Sequence, residues 1–182
     1  MMDRKQFLEN CTRGFCSCTA LSFLLPSRSM ADEPEQKEDW RLPFITKRFA
    51  KLYDILSAKM SKEELTDVFM QLGAFCAGTF QLLQDHRGDI DGFIHEFEKR
   101  SGEKIEYDRK KGTIKVIGLE RGGCFCPLVD EKLISKKVCD CSLGWQQYTY
   151  ETLLGKKVKA ELLESVLNGN KRCVFQIHIT ES

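Results

Sequence analysis

Two Cys-x-Cys pairs constrain this chain more than any other feature, because they place four of its nine cysteines within eighteen residues. Side chains alternate faces along an extended segment, so the cysteines of one pair share a face, with Cα atoms about 7 Å apart. If Cys124/Cys126 and Cys139/Cys141 lie on neighbouring strands, four sulfur atoms meet in one volume. That volume suits a tetrahedral thiolate site for zinc or another soft metal. It equally suits two cross-strand disulfides, and the spacing leaves both alternatives open.

The composition is that of one folded domain. The chain has 182 residues, of which 42% are apolar, and a formal net charge of +1. This length is sufficient for one well-buried core, and the balanced charge argues against nucleic-acid binding. No run of eighteen apolar residues follows the first thirty, so we expect no membrane span in the mature chain. The sequence leaves homodimerisation open.

The first 31 residues have the pattern of an export signal. A charged segment at Asp3–Leu8 precedes a mildly apolar stretch at Gly14–Leu25, and small residues flank Met30. We therefore expect cleavage near Ala31 and a periplasmic protein. The basic pair before Phe and Leu resembles a twin-arginine signal, although Lys5 stands where that family has its second arginine. That route moves folded proteins, often with their metal, and favours a metal site, whereas unfolded export into an oxidising space favours disulfides.

Residues 32–46 are charged and contain two prolines, which indicates a linker before a single domain at 47–182. A helix is predicted from Thr46 to Met60. The run Ser61-Lys-Glu-Glu64 matches a capping box and opens a second helix that extends to about Gln84. We expect its apolar stripe to face the core, and Cys76 to be an inert core thiol. The stripe consists of Leu65, Val68, Phe69, Leu72, Phe75 and Leu83.

The second helix also carries a patch of small residues, Gly73, Ala74, Ala77 and Gly78. Interior glycines cost about 1 kcal/mol each relative to alanine, so the patch predicts close approach by another backbone or by a ligand. Packing is the favoured of the two, and Gly73 and Ala77 are the candidate pocket residues.

A third helix is predicted between an Asp89 cap and a terminal Gly102, followed by a hairpin with strands at 104–107 and 113–117. His86 and His95 are expected at the surface or in packing, since neither has a second ligand at metal-binding spacing.

A fourth helix is predicted over Ser142–Leu154, and it carries Trp145 and Tyr148. These aromatic side chains either wall a ligand pocket or pack in the core. If Asp140 or Ser142 caps the helix, Cys139 and Cys141 lie at its positive end, which favours thiolate over thiol.

The C-terminal segment predicts a β-hairpin, with strands Lys157–Leu167 and Lys171–Thr180 joined at Asn168-Gly169. With those two residues as the turn, Glu164 lies opposite Cys173 on the apolar face. A carboxylate buried there needs to be neutralised, hydrogen-bonded or bound to a metal. The alternative is that Glu164 lies near the sheet end and reaches solvent or pairs with Arg172 or a lysine. A bulge would change the parity and remove this argument. The expected fold is α+β, with N-terminal helices packed on a mostly antiparallel sheet that ends in this hairpin.

Four short runs in the second half of the chain carry a resemblance to known families. They are Cys141-Ser-Leu-Gly144-Trp145, Leu154-Gly155-Lys-Lys-Val158, Glu161-Leu-Leu-Glu164-Ser and Cys173-Val-Phe175. In order and spacing they resemble the C-terminal half of 4-vinyl-reductase-type domains and the L-2-amino-thiazoline-4-carboxylic acid hydrolase-like family. The resemblance covers roughly residues 60–180 in layout, with specific motifs from about Cys124 onward. The first family implies a small-molecule-binding α/β fold, in some members with zinc.

This resemblance implies Cys141, Glu164 and Cys173 as zinc ligands. The family's further cysteine falls on Leu167 here, so the resemblance leaves one ligand position vacant. Cys139, Cys126 or Cys124 would substitute for it.

Three functions follow as hypotheses. The first is an exported small-molecule-binding protein with a cysteine-rich zinc site. The second is a hydrolase of a small cyclic C–N substrate, using a metal-bound water or a thiolate such as Cys139. The third is a disulfide-stabilised module that binds a partner.

Overall fold

The computed structural model describes residues 40–180. The predicted export signal at 1–31 and the predicted linker up to residue 39 lie outside this range. Residues 41–46, predicted as the end of the linker, are helical instead. Helix α1 spans Arg41–Lys59 and starts five residues before the predicted Thr46. Pro43 lies in its first turn, where backbone amides have no intrahelical acceptor, so proline removes no hydrogen bond there.

Helix α2 spans Lys62–Gly78 and begins at the predicted capping box. The Glu64 amide donates to Ser61 Oγ at 3.2 Å, and the Ser61 amide donates to the Glu64 carboxylate at 2.8 Å. The helix ends six residues before Gln84, because Thr79 and Phe80 interrupt it. The short helix α3, Gln81–Asp85, follows.

The buried face of α2 differs from the predicted stripe. Leu65 and Phe69 are buried as expected, but Phe75 is 68% exposed and Val68 is also exposed. Cys76, expected in the core, is exposed as well. The inward face consists instead of residues at four-residue spacing, Leu65, Phe69, Gly73 and Ala77. Because Gly73 and Ala77 are small, another helix can pack against this face.

That helix is α5, Asp140–Leu154, whose backbone is in direct contact with the backbone of α2 where the two helices cross. A methyl group at Gly73 would overlap the Cys141 carbonyl oxygen, and one at Gly144 would overlap the Met70 carbonyl oxygen. The predicted close approach of a backbone to the small-residue patch is therefore confirmed. Alanine at either glycine would force the helices apart.

Helix α4, Ile90–Ser101, has the predicted ends. Asp89 accepts a hydrogen bond from the Gly92 amide at 3.0 Å, and Gly102 takes a left-handed conformation with φ of 72°. Beside this helix His86 lies 3.0 Å from Glu96, whose hydrogen bond is the main cause that raises the pKa of His86 above its ordinary value. His86 and the exposed His95 thus have the surface roles expected of them.

The sheet has four antiparallel strands in the order β1-β2-β4-β3, so the expected α+β fold is confirmed. The strands are β1 Lys104–Asp108, β2 Thr113–Ile117, β3 Val158–Glu164 and β4 Val174–Ile179. Helix α5 packs on β3 and β4, and α4 packs on β1. Each edge strand carries a Lys-x-Glu ion pair, Lys104 with Glu106 and Lys159 with Glu161. Among the described residues, no helix has the length and apolar character needed to cross a bilayer.

The buried apolar residues form two clusters, which we call the main core and the second core. The main core joins the sheet to α4 and α5, and its largest fully buried side chains are Leu82, Leu83, Ile114, Tyr150, Leu153 and Ile177. The second core joins α1 and α2 to the segment before α5 and to the β3–β4 connection. It consists of Ala50, Tyr53, Leu65, Phe69, Ile134, Val138 and Leu167.

We expect Gly144→Ala to destabilise the protein by about 1–3 kcal/mol, because the added methyl overpacks the α2–α5 crossing. Gly78→Ala is the matched control, since its nearest contact would be Tyr148 Oη at 3.5 Å, which leaves room for a methyl group. Urea denaturation would measure both free energies of unfolding. Equal stability of the two variants would contradict the packing described for the crossing.

Candidate functional site

Five cysteines from three segments gather where the second core meets the main core. Cys139 and Cys141 pack against the second core, and Cys173 packs against the main core. Cys124 interacts electrostatically with Cys126, Cys139 and Cys173, and Cys141 interacts with the exposed Cys76 of α2 as well as with Cys126 and Cys139. We call Cys124, Cys126, Cys139, Cys141 and Cys173 the thiol cluster. All five side chains are partly buried.

The Cys-x-Cys pairs were expected on neighbouring strands, but neither pair lies on a strand. Cys124 and Cys126 belong to the loop after β2, and Cys139 ends a 3-10 helix, Lys136–Cys139, that leads into α5. The Cys124 amide donates to the Glu131 carboxylate at 2.7 Å, and the Val129 amide donates to the Cys126 carbonyl at 3.1 Å. Local hydrogen bonds, rather than a strand ladder, therefore position the first pair.

Burial is the main cause of the raised pKa values in the cluster. It raises the pKa of Cys124 and Cys139, and it raises the pKa of Cys141 to about 12. Neighbouring thiols raise these values further, whereas a hydrogen bond with Ser165 lowers that of Cys139. The expectation of a favoured thiolate depends on a cap at Asp140 or Ser142. Cys139 is the N-cap of α5 instead and no side chain caps this helix, so the condition is not met, and burial raises the pKa of Cys139 and Cys141. A nucleophilic role for Cys139 loses its main physical support.

Ser165 is a site residue that the sequence analysis missed. It is fully buried, and its hydroxyl lies 3.3 Å from Cys139 Sγ and accepts from the Leu167 amide at 3.1 Å. Asn170 in turn accepts from the Ser165 amide at 3.2 Å. A serine directly after a strand and before a glycine turn is a known turn former, which is the signal that could have identified it.

Glu164 does not lie where the hairpin register predicted. Nine residues, Ser165–Cys173, connect β3 to β4, and they include a 3-10 helix at Val166–Asn168. An irregularity between Leu162 and Glu164 also shifts the pairing, so Glu164 lies opposite Val174 and is exposed. An exposed carboxylate needs no buried partner, and the argument that made Glu164 a metal ligand no longer applies. The β-hairpin itself is confirmed.

The donor chemistry of the thiol cluster fits a soft metal, because thiolates are the preferred ligands of zinc in structural sites. In residues 40–180, no group of three or more His, Cys, Asp or Glu side chains is arranged to hold a metal ion, and the cysteines there are free thiols. Occupancy by zinc therefore stays a prediction. Leu167, where the resembled family has a cysteine, is buried in the second core.

Three of the four candidate pocket residues pack against other parts of the protein, and only Tyr148 lines a groove. Gly73 lies against Cys141 and Trp145, and Ala77 is fully buried in the main core. Trp145 packs against Phe80, with ring centroids 5.5 Å apart. Tyr148 lines a surface groove of about 390 Å³ between α2 and α5.

The C-terminal half identifies the family. Residues 92–182 match the profile described as "Family of unknown function (DUF6144)", and these residues are half of the chain. The fold and the thiol cluster thus define a cysteine-rich α+β domain. The chain belongs to the DUF6144 family. No curated protein matches it.

Three solved structures have a similar fold. A trafficking protein particle complex subunit 3 from Naegleria fowleri, covalently bound to palmitic acid, has a TM-score of 0.46 and 11% identity over 76% of this chain and 97% of its own. The phenol-responsive sensory domain of the transcription activator PoxR, with phenol, scores 0.49 with 16% identity over 74% of each chain. A vinyl-4-reductase family protein from Methanocaldococcus jannaschii scores 0.41 with 15% identity over 77% of this chain and 82% of its own. At scores below 0.5 these similarities carry no argument about function.

We expect the Cys141 thiol of metal-free protein to react with iodoacetamide far more slowly than the exposed Cys76. A pKa of about 12 instead of the reference value of 9 leaves about a thousandfold less thiolate at pH 8. The rate at Cys141 should rise with pH up to about 12. Mass spectrometry of peptides after timed alkylation would measure both rates, and equal rates at pH 8 would contradict the burial of Cys141.

Proposed function

We propose that the protein binds a small molecule and that its thiol cluster holds a structural zinc ion. The single observation that supports the zinc site is the convergence of five partly buried cysteines from three segments. A buried thiol makes weak hydrogen bonds and contributes little packing that an aliphatic side chain would not. Five such thiols, linked to one another by electrostatic interactions through Cys124, Cys139 and Cys141, are better explained by a shared ligand.

Cys124 is the centre of the proposed donor set, because it interacts with Cys126, Cys139 and Cys173. These four residues offer the four sulfur ligands of a closed tetrahedral site, and Cys141 is the alternative to Cys126. Bound zinc would supply the positive charge that keeps these ligands deprotonated. Since burial raises the pKa of Cys124 and Cys139, metal binding must release protons, and the metal affinity should fall as the pH falls.

The proposed zinc would join the two cores. Cys124 and Cys126 lie in the loop after β2, Cys139 lies at the start of α5, and Cys173 precedes β4. The Gly118 amide donates to the Cys173 carbonyl at 3.0 Å, so the beginning of the loop is already held at the sheet. A metal would fix the rest of the loop to α5 and stabilise the fold.

Protein purified from its native compartment should contain about one zinc per chain with its thiols unoxidised. A Cys124→Ser/Cys173→Ser variant should lose the metal, and chelation should lower the melting temperature of the native protein. Elemental analysis with free-thiol counting measures the first outcome. Cys76→Ser is the matched control and should keep the zinc. Metal-free protein with four thiols consumed in disulfides would overturn the zinc proposal.

The groove that Tyr148 lines is the proposed site for the small molecule. Its volume of about 390 Å³ suits a small ligand, and Met70, Ala74 and Tyr148 provide an apolar floor. Asp67 and Glu151 lie at the same groove. We therefore propose a ligand with an apolar body and a cationic group.

Small aromatic amines should raise the melting temperature more than neutral or anionic analogues of the same shape. Asp67→Asn should remove the preference for the cation. Asp85→Asn is its matched control, because each aspartate accepts a hydrogen bond of 2.7 Å from a glutamine four residues away on its own helix. Thermal shift assays across the ligand series would measure these effects. Equal responses of the two variants would contradict binding in this groove.

A further inference from the structure

Helix α1 exposes an apolar and basic face in addition to the side chains that it buries. Its buried residues include Thr46, Ala50 and Tyr53. Its exposed large apolar residues have accessibilities of 42–67%, and they are Trp40 at its start, Leu42, Phe44, Ile45, Leu52 and Ile55. A helix that needed only its core contacts would carry polar residues on this outer face.

The apolar side chains form a continuous surface rather than scattered positions. Ile45, Leu52 and Ile55 follow the three-and-four spacing of one helix face and, with Leu128, line a groove of about 500 Å³. Phe44 lies on the adjoining turn, where the Arg48 guanidinium sits 5.3 Å from its ring centroid. Trp40 packs edge-on against Phe44 with centroids 5.7 Å apart.

The same helix holds a strong local positive charge. It contains five basic residues and one acidic residue, Asp54, whereas the net charge of the whole chain is +1. Lys47, Arg48 and Lys51 are exposed beside the apolar side chains. Arg48 and Lys51 line the same groove as the apolar side chains.

We infer that this face of α1 binds the surface of an anionic lipid bilayer, a role independent of the thiol cluster. A helix with Trp, Phe and Leu beside Lys and Arg suits the interface, where the rings and aliphatic chains enter the acyl boundary. The lysine and arginine stems lie along apolar surface while their charges reach the lipid phosphates. The inferred attachment is peripheral.

Charge decides against a second copy of the chain as the occupant. A two-fold contact through this face would bring two strongly basic helices together, and like charges across an interface oppose association. An acidic protein would match the charge. The exposed tryptophan at the helix start and the shallow, open shape of the surface match lipid better, since aromatic rings concentrate at membrane interfaces.

Flotation of the full-length protein with vesicles tests the inference. Partitioning should be strong with about 30 mol% phosphatidylserine in phosphatidylcholine, weak with phosphatidylcholine alone, and reduced by salt. Lys47→Gln/Lys51→Gln should weaken it about 25-fold. Leu52→Ser/Ile55→Ser should weaken it by about tenfold or more. The matched controls, Lys110→Gln/Lys156→Gln and Phe75→Ser, alter exposed residues outside α1 and should leave it unchanged.

Trp40 gives a second readout that does not depend on flotation. In a Trp145→Phe variant, which leaves Trp40 as the single tryptophan, the fluorescence of Trp40 should shift to the blue on addition of anionic vesicles and be quenched by brominated lipid. Equal partitioning into neutral and anionic vesicles, or partitioning unchanged by the α1 variants, would overturn the inference. Two further outcomes would overturn it if no vesicle binding is seen. They are self-association of the protein, or its binding to polyglutamate, in a form that the α1 variants abolish.

Discussion

The contact between α2 and α5 is the constraint on which the rest of the structure depends. Two glycines, Gly73 and Gly144, let each helix touch a carbonyl oxygen of the other. This crossing brings the start of α5 against α2, so Cys139 and Cys141 reach the second core. The rest of α5 covers the sheet. One helix therefore belongs to both cores, and the thiol cluster lies at the point where it passes between them.

Burial shapes the chemistry of the thiol cluster more than the start of α5 does. The cost of charging a partly buried sulfur disfavours the thiolate forms of Cys124, Cys139 and Cys141, and the pKa of about 12 for Cys141 illustrates this cost. Thiols of this kind are poor nucleophiles on their own. This property counts against a thiolate nucleophile at Cys139.

Local signals predicted much of the fold, and tertiary packing decided what they missed. The capping box at Ser61, the Asp89 cap and the left-handed Gly102 depend on a few adjacent residues, so their patterns were sufficient. The buried face of α2 depends on which helix packs there, and a stripe of large apolar residues could not reveal that small residues face inward. The predicted pairing of Glu164 was wrong because Asn168-Gly169 is not a two-residue turn but part of a longer connection that contains a 3-10 helix. The grouping of the cysteines was anticipated, but their expected placement on neighbouring strands was wrong: the first pair lies in a loop and the second at the start of α5.

The two Lys-x-Glu pairs on β1 and β3 have a consequence for how copies of this protein can meet. Both strands are sheet edges, with backbone groups able to pair with a further strand. A strand arriving from another molecule would have to lie alongside a row of alternating charges held outward by ion pairs. The sheet is thereby protected from growing sideways into aggregates, and specific contacts with other molecules are left to the helical surfaces.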